Sequence, residues 1–141
     1  MKSYIAEHRK NIIKKRDLLK SQITIGQIIT FRYNKSQDNK NPTVLVLNDN
    51  HNGLLHGLVI DYMETVHLED FKDYILNEVT EVDPDSNTGF QLSLRKLSID
   101  NPTAFYESRL KHYLRTKHKF DVYRTYKVSE LRNVKLITYK F

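Results

Sequence analysis

Beyond Gln22 the residue pattern changes abruptly from basic and polar to β-branched and aromatic, and that switch does most to limit what this chain can become. Ile23 to Tyr33 alternates closely enough between apolar and polar side chains to predict a strand. Asn34 to Asn41 is polar and turn-forming, and Pro42 then opens the aliphatic run Thr43-Val44-Leu45-Val46-Leu47, which reads as a buried strand. Asn48 to Gly53 is the clearest turn signal in the chain. A third strand follows over Leu54 to Tyr62, with Gly57 inside it marking a bulge or a close backbone approach. Three consecutive strands joined by short connections predict a meander.

The flanking segments read differently. Residues 3–21 suggest a basic helix in which Ile5, Ile12 and Leu19 recur every seven positions, with Tyr4 and His8 on the same side. So narrow a stripe, set among Arg9, Lys10, Lys14, Lys15 and Arg16, suits a helix lying across a domain or partner, or a solvated surface helix. After the meander, Thr65 is a fitting N-cap for a helix through Leu68, Phe71, Ile75, Val79 and Val82, with Glu69, Asp70 and Asp73 complementing its dipole. Asp83 to Gly89 reads as a loop, and Phe90 to Ile99 as either a strand or a short helix. Asn101-Pro102 starts a second helix through Tyr106, Leu110, Tyr113 and Leu114. Two short strands, Val122 to Val128 and Val134 to Phe141, close the chain.

A chain of 141 residues has room for one core. The expected fold class is α+β: a small SH3-like or partly open antiparallel β-barrel sheet with an N-terminal basic helix and two inserted helices. The basic helix takes residues 1–21 and a single α+β domain takes residues 22–141.

Composition excludes several classes. With 39% hydrophobic and 28% charged residues the chain is neither a disordered tail nor a fibre. The absence of cysteine removes disulfides, thiolate metal sites and a cysteine nucleophile. Its apolar runs fall far short of the roughly 20 residues that cross a bilayer, so no membrane is expected as a partner. Met1-Lys2-Ser3-Tyr4 leads into charged sequence with no apolar run, so no secretory signal is expected.

Charge is distributed in three blocks. Residues 1–40 carry a net +7, residues 41–100 a net −8 and residues 101–141 a net +7. Basic ends brought together by the fold would make a face that attracts phosphate backbones and gains from counterion release. Alternatively, the opposite blocks attract one another within the fold or between subunits.

Enzymatic signals are sparse. Four glycines build neither a P-loop nor a dinucleotide fingerprint, and no nucleophile elbow occurs. The six histidines lack helical metal-site spacing, so no metal and no cofactor is expected. Asp70-Phe71-Lys72 precedes Pro84-Asp85 rather than following it, against the order of a two-carboxylate nuclease. Asp83, Asp85 and Asn87 alternate as in a calcium loop, yet Gly89 is misplaced and no glutamate closes the loop. The positive signal is the interleaving of rings and cations in Phe31-Arg32-Tyr33, in Tyr123-Arg124-Thr125-Tyr126-Lys127 and in Tyr139-Lys140-Phe141. On a sheet surface such rings stack on bases. On alternate faces they fill the core and leave the cations outside.

Ile29 to Tyr33, Asn41 to Leu47 and Leu55 to Tyr62, together with Val122 to Tyr126, resemble a module of small tailed-phage proteins. There a strand ending in a Phe or Tyr pair precedes a polar loop, a Pro-aliphatic strand and a strand ending in Tyr. The resemblance spans about half the chain and implies a virion-associated or DNA end protector-like protein, in the host cytoplasm or the virion. It supplies no catalytic residues, and Val59 stands where the module has Asn. The Pro-aliphatic strand is also similar to PemK/MazF-type ribonuclease toxins, although Asn41 occupies the place of the arginine before their proline.

The expected function is non-enzymatic DNA binding through a basic face. The candidate phosphate contacts are Lys10, Lys14, Lys15, Arg16, Arg32, Arg109, Arg115, Lys119, Arg124 and Lys127. Other virion or replication proteins are further candidate partners, as is a second copy of the chain in an oligomer. The alternatives are a structural virion protein making charge-complementary contacts with other particle subunits and a MazF-like ribonuclease.

Overall fold

In the computed structural model, which describes residues 3–48, 53–77 and 122–140, six strands form one antiparallel sheet. They are β1 (Ile12–Asp17), β2 (Ile28–Arg32), β3 (Thr43–Val46), β4 (Leu54–Val59), β5 (Tyr123–Lys127) and β6 (Arg132–Tyr139), in the spatial order β1-β6-β2-β3-β4-β5. A short helix, α1 (Ile5–His8), precedes the sheet, and a longer one, α2 (Thr65–Asn77), follows β4. The fold is therefore α+β with an open sheet whose edges are β1 and β5.

The central meander follows the sequence pattern. Ile28, Ile29 and Thr30 of β2 face Leu45, Val44 and Thr43 of β3, and Val44, Leu45 and Val46 face Val59, Leu58 and Gly57 of β4. β3 is buried along its whole length, as its unbroken aliphatic run predicts. The turn before β4 carries Gly53 at φ +87°, a left-handed conformation in which glycine meets no Cβ penalty. Asn48 ties that turn down by accepting from the His56 N–H at 2.9 Å and donating to the Leu54 carbonyl at 3.0 Å. At Gly57 the expected close approach is present. A Cβ there would drive into Val44 Cγ1 and lie 2.9 Å from the Leu45 carbonyl oxygen.

β5 and β6 follow one another in sequence but are separated in the sheet by β4, β3 and β2. Laid flat, those four spacings would span about 19 Å. The connection is a three-residue 3-10 turn, Val128–Glu130, followed by Leu131, and such a turn rises only about 6 Å. The sheet must therefore curl, and cross-sheet contacts mark where it does. Phe31 of β2 meets Tyr126 of β5 edge to face at 5.0 Å, Tyr33 meets Tyr126 at 5.0 Å, and the Lys127 N–H donates to the Tyr33 hydroxyl at 3.1 Å. The face carrying Phe31 and Tyr126 is thus the concave one. Alternation places Thr30 and Arg32 on the convex face. Ile28, Leu45, Leu58 and Ile137 of the convex face are buried too.

The N-terminal basic helix expected over residues 1–21 is not what forms. The α-helix stops at His8, a 3-10 turn covers Arg9–Asn11, β1 occupies Ile12–Asp17 and a second 3-10 turn covers Lys20–Gln22. As a helix the segment would bury only a thin stripe, whereas as a strand it completes the hydrogen bonding of β6, whose other side is taken by β2. Ladder pairing outweighs the modest helix preference of Lys and Arg. Leu19, expected on the apolar stripe, is 67% exposed.

α2 begins at the expected place, but Thr65 is its first residue rather than its cap. The Glu64 carbonyl accepts from the His67 and Leu68 N–H groups, and the Glu7 carboxylate, reaching across from α1, accepts from the Thr65 N–H at 2.8 Å and from its hydroxyl. These bonds hold the Glu7 carboxyl below its usual pKa range. The second inserted helix from Asn101, the 83–89 loop, the segment 90–99 and Val79 and Val82 lie outside the described residues.

Candidate nucleic-acid interface

Pairing β1, β6 and β2 side by side gathers cations that the sequence scatters over more than a hundred positions. Lys14, Lys15 and Arg16 of β1, Arg32 of β2, and Arg132 and Lys135 of β6 are all exposed, and Asp17 is the one acid on these three strands. Asp17 lies 3.5 Å from Lys135 with its side chain 94% exposed. An ion pair in so open a setting is worth under about 1 kcal/mol, leaving the surface strongly positive.

Register decides which cations share a face. Lys15 opposes Ile137, Asp17 opposes Lys135, Lys135 opposes Thr30, and Arg132 opposes Arg32. Directly opposed residues point to the same side of a sheet, so Lys15, Lys135, Arg32 and Arg132 line the convex face with Thr30. Lys14 and Arg16, opposite Thr138 and Leu136, point to the other side. A helix would have spread this basic triplet around its axis, and the strand splits it in two.

Arg32 and Arg132 are like charges set directly across neighbouring strands, an arrangement that destabilises a sheet unless an anion lies between them. Arg32 donates from Nε to Asn34 Oδ1 at 2.8 Å. Beside Arg132, Asn34, Lys35, Ser129 and Glu130 line a cavity of about 170 Å³. Lys35 Nζ lies 2.5 Å from Glu130 Oε1. This bond lowers the Glu130 pKa and raises that of Lys35, so the carboxylate in the cavity is held ionised and compensated.

The remaining sequence candidates fall elsewhere. Lys10 sits exposed in the 3-10 turn before β1. Arg124 and Lys127 lie on β5, at the opposite edge of the sheet order. Arg124 is half-buried, donates to the Tyr123 carbonyl at 2.9 Å and approaches Asp38 at 3.9 Å, so much of its charge is spent inside the protein. It shares a cavity of about 380 Å³ with Tyr33, Asp38, Thr125 and Tyr126. Burial would raise the Asp38 pKa, but hydrogen bonds from Ser36, the Asn39 N–H and Tyr62 together outweigh it and hold the group low. Tyr62 is pushed up to about 12 by burial and by its bond to Asp38. Arg109, Arg115 and Lys119 lie outside the described residues.

The rings resolve along the lines of strand alternation. Phe31, Tyr33, Tyr126 and Tyr139 are buried and Tyr123 packs half-buried against His56, while Arg32, Lys127 and Lys140 are exposed. The buried rings offer no surface for base stacking. Arg132 and Lys135 are not among the sequence candidates. Their signal is the Arg-x-x-Lys spacing around Val134 in the last strand, readable only once β6 is known to adjoin β1 and β2. Among the described residues, no group of three or more His, Asp or Glu is placed to hold a metal, and no helix is long and apolar enough to cross a membrane. No family model, curated protein or solved structure matches the chain.

Proposed function

We propose that the protein binds nucleic acid, DNA in the first instance, through its phosphate backbone and without catalysing a reaction. The observation that carries this reading is four cations, Lys15, Lys135, Arg32 and Arg132, against one acid, Asp17, on one face of the adjacent strands β1, β6 and β2. Phosphate contacts position a protein on a duplex without reading its sequence, and each neutralised phosphate releases counterions. The interface is the convex face bearing Lys15, Lys135, Arg32 and Arg132.

We also read the sheet as an SH3-like barrel. The succession β6-β2-β3-β4-β5 and the 3-10 turn between β5 and β6 support this, because the sheet must curl for so short a turn to join them. The resemblance to small tailed-phage proteins favours DNA in a virion or in an infected cell as the setting.

Fluorescence anisotropy with duplex and single-stranded oligonucleotides across a salt series tests the reading. Several phosphate contacts give a log–log slope steeper than about −4, at roughly 0.9 per phosphate on duplex DNA. Absence of binding at low salt would overturn it. A second reading rests on the exposed acids Glu69 and Asp73 of α2, which give the molecule a negative surface as well as a positive one. Under it, copies or other particle subunits pair through opposite charges, and sedimentation detects salt-sensitive association in place of DNA binding.

A further inference from the structure

We propose that Arg32 and Arg132 together clamp a single phosphate group of the nucleic-acid backbone, an inference that rests on the convex face being the nucleic-acid interface. The first ground is a break in register. Ile28, Ile29 and Thr30 pair with Ile137, Leu136 and Lys135, and continuing that register would set Asn133 opposite Arg32. A shift between Thr30 and Arg32 sets Arg132 there instead. The extra residue is accommodated at Asn133, whose φ of +55° is the one left-handed non-glycine conformation among the described residues. Bulges of this kind re-aim side chains and concentrate beside functional sites. This one brings together two charges that repel.

The second ground is the state of the two guanidinium groups. The bond from Arg32 Nε to Asn34 fixes the plane of its guanidinium and leaves both terminal nitrogens available. Among the described residues, the Arg132 guanidinium makes no hydrogen bond or ion pair, and its one carboxylate neighbour in the adjoining cavity, Glu130, is already paired with Lys35. Two planar donor forks carried by directly opposed residues suit the tetrahedral oxygens of a phosphate, which each engages with paired N–H groups. Occupancy would convert a repulsive cross-strand pair into a bridged one.

The test uses the full chain with Arg32→Gln and Arg132→Gln, both at exposed positions. Melting is followed in inorganic phosphate and in chloride at matched ionic strength, and duplex DNA binding is followed across a salt series. The wild type should melt higher in phosphate than in chloride, since a ligand of the native state stabilises it. Each variant should lose that increment while melting no lower than the wild type in chloride. Each should also flatten the DNA salt slope by about 0.9, one phosphate's worth. Variants that keep both the phosphate increment and the wild-type slope would overturn the clamp while leaving the wider interface standing. Loss of the increment with an unchanged slope would assign the pair to a free anion and overturn the backbone assignment. A wild type that binds no DNA at low salt would remove the interface reading itself.

Discussion

Inside the protein, Nδ1 of His8 and the hydroxyl of Tyr139 meet at 2.6 Å, joining the first helix to the last strand. The other ring nitrogen, Nε2, lies 2.7 Å from the Met63 carbonyl oxygen, which can only accept, so Nε2 donates there. His8 is fully buried. This one imidazole therefore fastens the N-terminal arm to β6 and to the segment before α2. Replacing it with Ala removes the bonds to the Met63 carbonyl and the Tyr139 hydroxyl and leaves a void behind. The expected cost is about 2–4 kcal/mol, read from urea unfolding. Tyr139→Phe removes the bond to His8 and the longer one from Asn11 Nδ2 at 3.4 Å and should cost about 1–2 kcal/mol, and the double variant should cost less than the two singles combined.

Gly57→Ala should destabilise strongly although its backbone is ordinary strand. The added methyl would enter the space of Val44 Cγ1 and crowd the Leu45 carbonyl, so β3 and β4 would have to separate at the centre of the sheet. Overpacking of this kind costs about 1–3 kcal/mol, which a thermal melt resolves easily. Gly53→Ala is the contrast: nothing lies within 4 Å of a Cβ there, and the whole cost comes from its φ of +87°. A Gly57→Ala variant as stable as the wild type would mean that the two strands are not packed this closely.

The meander is legible in the sequence because β-branched alternation and an unbroken aliphatic run each have one cheap solution, and Gly57 stands out as the residue without a side chain in a packed strand. The start of α2 is legible for the same reason, since Leu68, Phe71 and Ile75 repeat with helical spacing and all become buried. The N-terminal segment is not. Lys14-Lys15-Arg16 carries no period of its own, and its strand state depends on a vacant edge of β6 that lies over a hundred residues further along. The charged face is half legible for that reason. Lys15 and Arg32 can be named from composition, but Arg132 and Lys135 become part of it only through register.

Acid should weaken the fold in a way that Asp38 helps to set. Burial works to raise its pKa, but the bonds from Ser36, Asn39 and Tyr62 prevail and hold it below the ordinary value of 3.8. Its stabilising contribution is therefore present above that value and is lost as pH falls through the lower, folded one. Asp61 runs the other way. Burial raises its pKa against the bonds from Thr43 and Asn39, so its contribution is full below 3.8 and is lost as pH rises through the folded value. Asp38→Asn should therefore show a smaller loss of melting temperature than the wild type as pH is lowered through the carboxylate range, with both melted in the same buffers. Parallel acid limbs would show that the three bonds do not favour the ionised form.

The strand state of β1 makes the basic triplet unequal. Lys15 shares the convex face with Lys135, Arg32 and Arg132, whereas Lys14 and Arg16 point to the other side of the sheet. Neutralising Lys15 to Gln should flatten the salt slope of duplex binding by about 0.9 and weaken binding equally for all sequences, the mark of a lost phosphate contact. Arg16→Gln should change the slope far less despite removing the same charge one residue away. Long-range attraction between the protein and DNA falls off beyond about 10 Å at roughly 0.1 M salt, so above that concentration the difference reports contact rather than net charge. Equal effects at all three positions would mean that the segment meets DNA as a flexible or helical basic arm, and that the β1–β6 pairing does not define the interface.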